Sequence, residues 1–188
     1  MACMEFQKRI DQIIAEIHNV LQRVDTTAAA AVAERLLRAR RVYVAGGGRS
    51  GLMVRAFAQR LMHLGLTTYV VGETTTPAIR PEDVLVVCSG SGETQVTVLV
   101  SEVAKSIGAH VVAVTANRDS SVARLADMLL ILETPHKRAP GQGAPTVQYG
   151  GALFEQSVLI LFDALALEIG FALGRSEEEL CQRHANLE

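Results

Sequence analysis

The chain begins with Phe6, Ile10, Ile13, Ile14, Ile17 and Leu21 at helical spacing, one apolar stripe on an otherwise polar segment over 4–22. A second, alanine-rich helix is predicted over 27–39, announced by the capping signal Asp25-Thr26-Thr27. The pattern then changes. Five short apolar runs, RVYVAG (41–46), TTYVVG (67–72), DVLVVCS (83–89), HVVAVTA (110–116) and MLLIL (128–132), alternate with helical segments at 50–64, 93–107 and 119–126. Runs built of consecutive Val, Leu and Ile read as strands buried on both faces, and their alternation with helices implies a parallel sheet. The predicted fold class is therefore α/β, a three-layer α-β-α sandwich around a five-stranded parallel sheet, with extra N- and C-terminal helices. In such a doubly wound sheet the ligand crevice lies at the carboxyl ends of the strands.

Residues 133–149 break the rhythm with Pro135, Pro140, Pro145, Gly141 and Gly143. A loop this long within a compact domain is expected to be functional or mobile. A nearly all-apolar helix follows at 150–173. Gly174 is placed to cap it, and Ser176-x-x-Glu179 opens a short final helix as a capping box. Glu155, Gln156, Asp163 and Glu168 interrupt the apolar stretch, which argues against a membrane span. A helix apolar all round must be covered on every side, and in so small a protein the expected cover is another subunit.

At 188 residues the chain reads as one domain, 1–188, with residues 1–40 packing on the core or on a neighbouring subunit. A net charge of -2 and a pI near 6.2 supply no surplus of cations to displace counterions, so no nucleic-acid partner is expected. Cys3, Cys88 and Cys181 are odd in number and widely spaced, which indicates neither a disulfide framework nor a zinc site. Glu5, Lys8, Arg9 and Asp11 interrupt any signal-peptide core, so a reducing cytoplasm is the expected setting.

Two loops carry the candidate chemistry. AGGGRSG fits G-x-G-x-x-G with Gly46, Gly48 and Gly51, and Glu73 stands where a ribose-binding acid would in a dinucleotide fold. The second loop, CSGSGET, repeats the arrangement of strand, Gly/Ser turn and helix, with Ser89, Gly90, Ser91, Gly92, Glu93 and Thr94. A pyrophosphate needs only one glycine turn. A monophosphate is held by short hydroxyl donors and free amides at a helix N-terminus. Ser89, Ser91 and Thr94 supply the hydroxyls, with Ser50 as a further donor, and Gly47, Gly48, Gly90 and Gly92 allow close approach. Singly, each Ser or Thr is equally explained as a cap or turn former. Together, on two facing loops, they point to a phosphate cradle.

SGSGET after a buried strand, paired with GGGRSG two strands earlier, resembles the sugar isomerase (SIS) domain, a flavodoxin/Rossmann-like fold that binds phosphosugars. FAQRLMHLG (57–65), VVGETTTPAI (70–79), FEQ (154–156) and RHANLE (183–188) are similar to the 6-phospho-3-hexuloisomerases of that family. The resemblance implies interconversion of 3-hexulose 6-phosphate and fructose 6-phosphate through a cis-enediol, in the ribulose monophosphate pathway of formaldehyde fixation. It implies a homo-oligomer, a tetramer, and needs no metal or organic cofactor; no H-E-x-x-H, Cys pair or clustered His/Asp occurs.

On the same resemblance Glu155 is the proton carrier. Its apolar neighbours disfavour the charged form while the helix N-terminus favours it. A simple first-turn glutamate is the alternative. His184 would pass protons among the sugar oxygens, in family fashion from a neighbouring subunit, unless it belongs to a frayed terminus. It should matter more from fructose 6-phosphate, whose ring must open. Arg49 would hold substrate oxygens or the enediolate, or be a solvated cation. Glu93 would orient its loop, assist proton transfer, or favour a helix dipole. His63, inside an apolar helix, reads as a packed histidine before a catalyst. His136, Lys137 and Arg138 would meet the phosphate or belong to a polar loop. The competing functions are an arabinose 5-phosphate type of isomerase, a non-catalytic phosphosugar sensor, and the dehydrogenase of the glycine motif.

Overall fold

A computed structural model describes residues 2–135, 143–184 and 186. The elements run α1 (Ala2–Leu21), α2 (Thr26–Leu37), β1 (Val42–Gly46), α3 (Gly48–His63), β2 (Thr68–Val70), β3 (Val84–Cys88), α4 (Gln95–Ile107), β4 (His110–Thr115), α5 (Ser121–Leu125), β5 (Met128–Ile131), α6 (Ala152–Leu173) and α7 (Glu177–Gln182). All five expected strands form. They pair in parallel in the order β2-β1-β3-β4-β5, with Val44 opposite Val70 and Val86, and Val112 opposite Met128. This is the flavodoxin-type order, in which the topological switch falls between β1 and β3.

Alternation along the strands builds two cores. Val42, Val44, Val86 and Val112 face α2, α3 and α6, where Phe57 and Phe162 stack with centroids 4.5 Å apart. Tyr43, Leu85, Val87, Val111 and Ala113 face α4 and α5 through Ala104 and Val122. The caps read from the sequence form. Asp25 accepts from the Ala28 amide, Gly174 ends α6 at φ 62°, and Ser176 with Glu179 makes a reciprocal capping box.

At the amino ends of the strands a buried ion pair fixes β1 against β3. Asp83 is fully buried and accepts from Arg41 Nε (3.0 Å), Arg41 Nη2 (2.7 Å) and the Arg80 amide (2.7 Å). This bidentate geometry suits a guanidinium and satisfies a charge that would otherwise be expensive to bury. Nearby, Asp127 accepts from the Val111 amide at 2.9 Å and from Lys105, beside His110.

The apolar helices are only partly covered within one chain. Helix α6 is long and apolar enough to cross a membrane. Its Phe154, Val158, Leu161, Phe162, Leu165 and Ile169 lie in the core, against α1, α2 and α3. Leu167 and Phe171, 63% and 80% exposed, are not covered. In α1 only Ile17 and Leu21 of the stripe pack on the core; Phe6, Ile10 and Ile14 face outward.

Candidate active site

The site grows from the adjacent ends of β1 and β3. The chain leaves β1 at Gly46 and enters α3 through Gly47, which has no side chain to cap the helix. A Cβ on Gly51 would stand 2.5 Å from the Gly46 carbonyl oxygen. The third glycine of the motif therefore serves close strand–helix approach.

The second loop is knit by its own hydroxyls. Ser89 Oγ lies 3.1 Å from Thr94 Oγ1 and accepts from the Gly92 amide at 3.1 Å, while Ser91 Oγ accepts from the Glu93 amide at 3.2 Å. Thr94 is the N-cap of α4 but its side chain makes no capping bond. The amides of Gln95, Val96 and Thr97 thus have no intrahelical acceptor and are available to an anion. The two loops touch: a Cβ on Gly47 would lie 3.2 Å from Thr94 Cγ2.

Both loops open into a cavity of about 830 Å³. Arg49, Ser50, Ser89, Gly90, Ser91 and Thr94 line it, together with Glu155 from the first turn of α6. The Glu155 side chain is 14% exposed and accepts from Arg49 Nε, whose own side chain is largely in solvent. Phe154 closes over Gly90 and packs α6 onto the loop. Behind Glu155, burial pushes the Cys88 thiol far up and the neighbouring carboxylate adds to this, against a lowering hydrogen bond with Ser50. That thiol stays protonated and is no nucleophile.

A family model described as the SIS domain matches residues 35–162. The chain belongs to the SIS domain family. The 3-hexulose-6-phosphate isomerase of Mycobacterium gastri is 43% identical over 173 residues, covering 92% of this chain and 86% of that protein. The protein of the same name from Bacillus subtilis is 35% identical over 185 residues, 98% of this chain and 100% of that one. A solved structure from Methanococcus jannaschii, said to infer a 3-hexulose-6-phosphate isomerase function, superposes with a TM-score of 0.82 at 33% identity over 96% of this chain and 99% of that one.

Not every expected residue of this SIS domain gathers at the cavity. Glu93 turns away and accepts from the Ser121 amide (2.8 Å) and hydroxyl (2.9 Å), so it ties the loop to α5. It is also outside α4, which starts two residues later because Ser91 and Gly92 shape a turn first. His184 stacks on His63 with centroids 4.9 Å apart. Both line a second groove, about 780 Å³, over the carboxyl half of α6, with Arg60, Asp163, Phe171 and Arg175. At 1.5 Å per residue that groove is roughly 20 Å along α6 from Glu155. Within one chain His184 does not reach the loops. Glu73 pairs with Arg55 at 3.1 Å and is not in the cavity of the SIS domain. His136, Lys137 and Arg138 lie outside the described residues.

Several residues at the SIS-domain cavity were not singled out as site residues from the sequence, among them Ile13, Gln148 and Tyr149, and Glu16 joins them through its contacts. Ile13 shows in the sequence only as part of the α1 stripe. No local signal joins Glu16 to a segment 130 positions away.

Proposed function

We propose that this SIS-domain chain interconverts 3-hexulose 6-phosphate (D-arabino-hex-3-ulose 6-phosphate) and fructose 6-phosphate. Relatives of that name at 35% and 43% identity over most of the chain support an isomerase. The observation that carries the reading to this molecule is a hydroxyl and amide cradle sharing one cavity with a nearly buried carboxylate.

In the proposed reaction Ser89, Ser91, Thr94 and the first amides of α4 hold the phosphate, with Ser50 beside them. Glu155 carboxylate takes the proton from C2 of the 3-ketose, and the electrons move to give the 2,3-enediolate. A proton passes from O2 to O3, and Glu155 returns its proton to C3, leaving the carbonyl at C2. Arg49, exposed enough to swing from Glu155 to substrate, stabilises the oxyanion. The conversion is redox-neutral overall, so proton transfer accounts for it. Upstream stands a reaction that joins a one-carbon unit to a pentulose phosphate, as in the ribulose monophosphate route. The charged substrate is retained by membranes, and the proposed setting is the cytoplasm.

The same reading treats residues 1–188 as one domain working as a homo-oligomer, a tetramer. The uncovered Phe6, Ile10, Leu167 and Phe171 support association. His184, remote from Glu155 in its own chain, would then act on a neighbour's substrate.

The test is direct. Enzyme incubated with fructose 6-phosphate, with no nicotinamide added, is expected to form the 3-hexulose, and Glu155→Gln to lower turnover by about 10²–10⁴-fold while sugar phosphate still binds. Failure of the wild type to form the 3-hexulose would exclude the reading.

A further inference from the structure

The cavity has a wall the phosphate chemistry leaves unused. Glu16, on α1, accepts three hydrogen bonds from one short segment: Thr146 Oγ1 at 2.6 Å, the Val147 amide at 3.1 Å and Gln148 Nε2 at 3.0 Å. Gln148 N in turn donates to Thr146 Oγ1 at 2.9 Å. Burial raises the Glu16 carboxyl, but the bonds from Thr146, Gln148 and Val147 outweigh it and hold the group below the usual carboxylate range. Ile13, one turn earlier on α1, lines the cavity, as does Gln148 itself. The helix and the segment are thus one wall.

The chemistry of the pair fixes which way the Gln148 amide points. A carboxylate only accepts, so the NH₂ end of Gln148 must face Glu16. Its carbonyl Oε1 is left as the outward group, and among the described residues no donor meets it. Gln148 lines the same cavity as the proposed cradle, and a free acceptor there suits a hydroxyl hydrogen of a polyol chain. It offers nothing to the fully ionised phosphate of the ester, whose oxygens only accept.

We infer that Gln148 Oε1 accepts a hydrogen bond from a hydroxyl of the bound ketose phosphate, and that Glu16 is the positioning residue that holds the amide in that orientation. The inference rests on the phosphosugar reading of the cavity and adds the group that tells a sugar phosphate from bare phosphate.

Calorimetric titration of fructose 6-phosphate and of inorganic phosphate separates the two ligands without requiring turnover. Gln148→Ala and Glu16→Gln are each expected to weaken fructose 6-phosphate by about five- to tenfold, the size of one hydrogen bond, and to leave inorganic phosphate unchanged. The double variant should lose no more than Gln148→Ala alone, because Glu16 acts through Gln148. In turnover, KM should rise by the same factor with kcat nearly constant, and Glu16→Asp should recover part of the loss. Unchanged fructose 6-phosphate affinity in Gln148→Ala overturns the inference. So does an equal loss for both ligands, which marks a merely structural wall. A wild type that binds fructose 6-phosphate without isomerising it sinks the isomerase reading, while the affinity pattern still decides this one.

Discussion

Replacing Gly92 by alanine tests how the phosphate loop is held. Gly92 has φ 64°, and a Cβ there would stand 2.0 Å from Ser120 Oγ, 2.4 Å from Ser120 Cβ and 3.0 Å from Thr115 Oγ1. The left-handed backbone costs an L-residue about 1–2 kcal/mol. Turning Ser120 relieves only the Oγ contact; its Cβ is fixed to the backbone, so the start of α5 must shift as well, and the Ser120 hydroxyl is the N-cap of that helix, accepting from the Ala123 amide at 3.2 Å. Losing that cap costs about 1 kcal/mol, so the total is at least about 2–3 kcal/mol. Gly48 is the control. It has φ 56° but nothing within 4 Å of a built Cβ, so Gly48→Ala should show the backbone penalty alone, about 1–2 kcal/mol. Urea unfolding of the two variants should differ by at least about 1 kcal/mol, and Ser120→Gly, mild as a cap and without a Cβ, should remove most of that difference in the Gly92→Ala background. The Gly92 amide donates to Ser89 Oγ, so KM should rise in Gly92→Ala as the cradle shifts. Equal losses in the two alanine variants, or no recovery with Ser120→Gly, would refute the contact argument.

Two further outcomes are expected. In His184→Ala, consumption of fructose 6-phosphate should level off as enzyme is added, because spontaneous ring opening becomes limiting. Conversion of the open-chain 3-hexulose should keep rising in proportion, and the same response in both directions would remove His184 from ring opening. At the other end of the sheet, burial lowers the proton affinity of His110; Asp127 opposes this, and Arg35 and Lys105 reinforce it. The unfolded imidazole titrates near about 6.5, so the stability of the neutral folded form is whole above that pH and is lost as pH falls through the lower folded value. Urea midpoints should therefore drop more between about pH 8 and pH 5 in the wild type than in His110→Asn. Parallel curves would contradict this.

The strands were legible because each is dominated by a run of Val, Leu, Ile or Tyr, and the central β3 and β4 are buried on both faces. The proposed cradle could be read from the sequence because its second-loop hydroxyls and glycines sit within six consecutive residues, Ser89 to Thr94, and the structure places Ser89, Gly90, Ser91 and Thr94 on one cavity. What escaped depends on direction or distance. The sequence near Glu93 does not say that Gly92 swings its carboxylate across to Ser121. Nothing local pairs His63 with His184, which meet only after α6 has carried the chain back past α3. The stripe on α1 reads as a face that needs cover from the core or a neighbouring subunit, and half of it, Phe6, Ile10 and Ile14, is uncovered in one chain. Its polar flank holds Glu16, whose partners lie beyond five strands and four helices.

The Arg41–Asp83 pair has a bearing on how this scaffold can change. Its neutralised charges fasten the floor of the sheet, at the pole opposite the two glycine loops, and neither residue is among the described lining of the cavity. Side chains around the mouth can therefore be exchanged, and the ligand preference altered, while the foundation beneath is untouched.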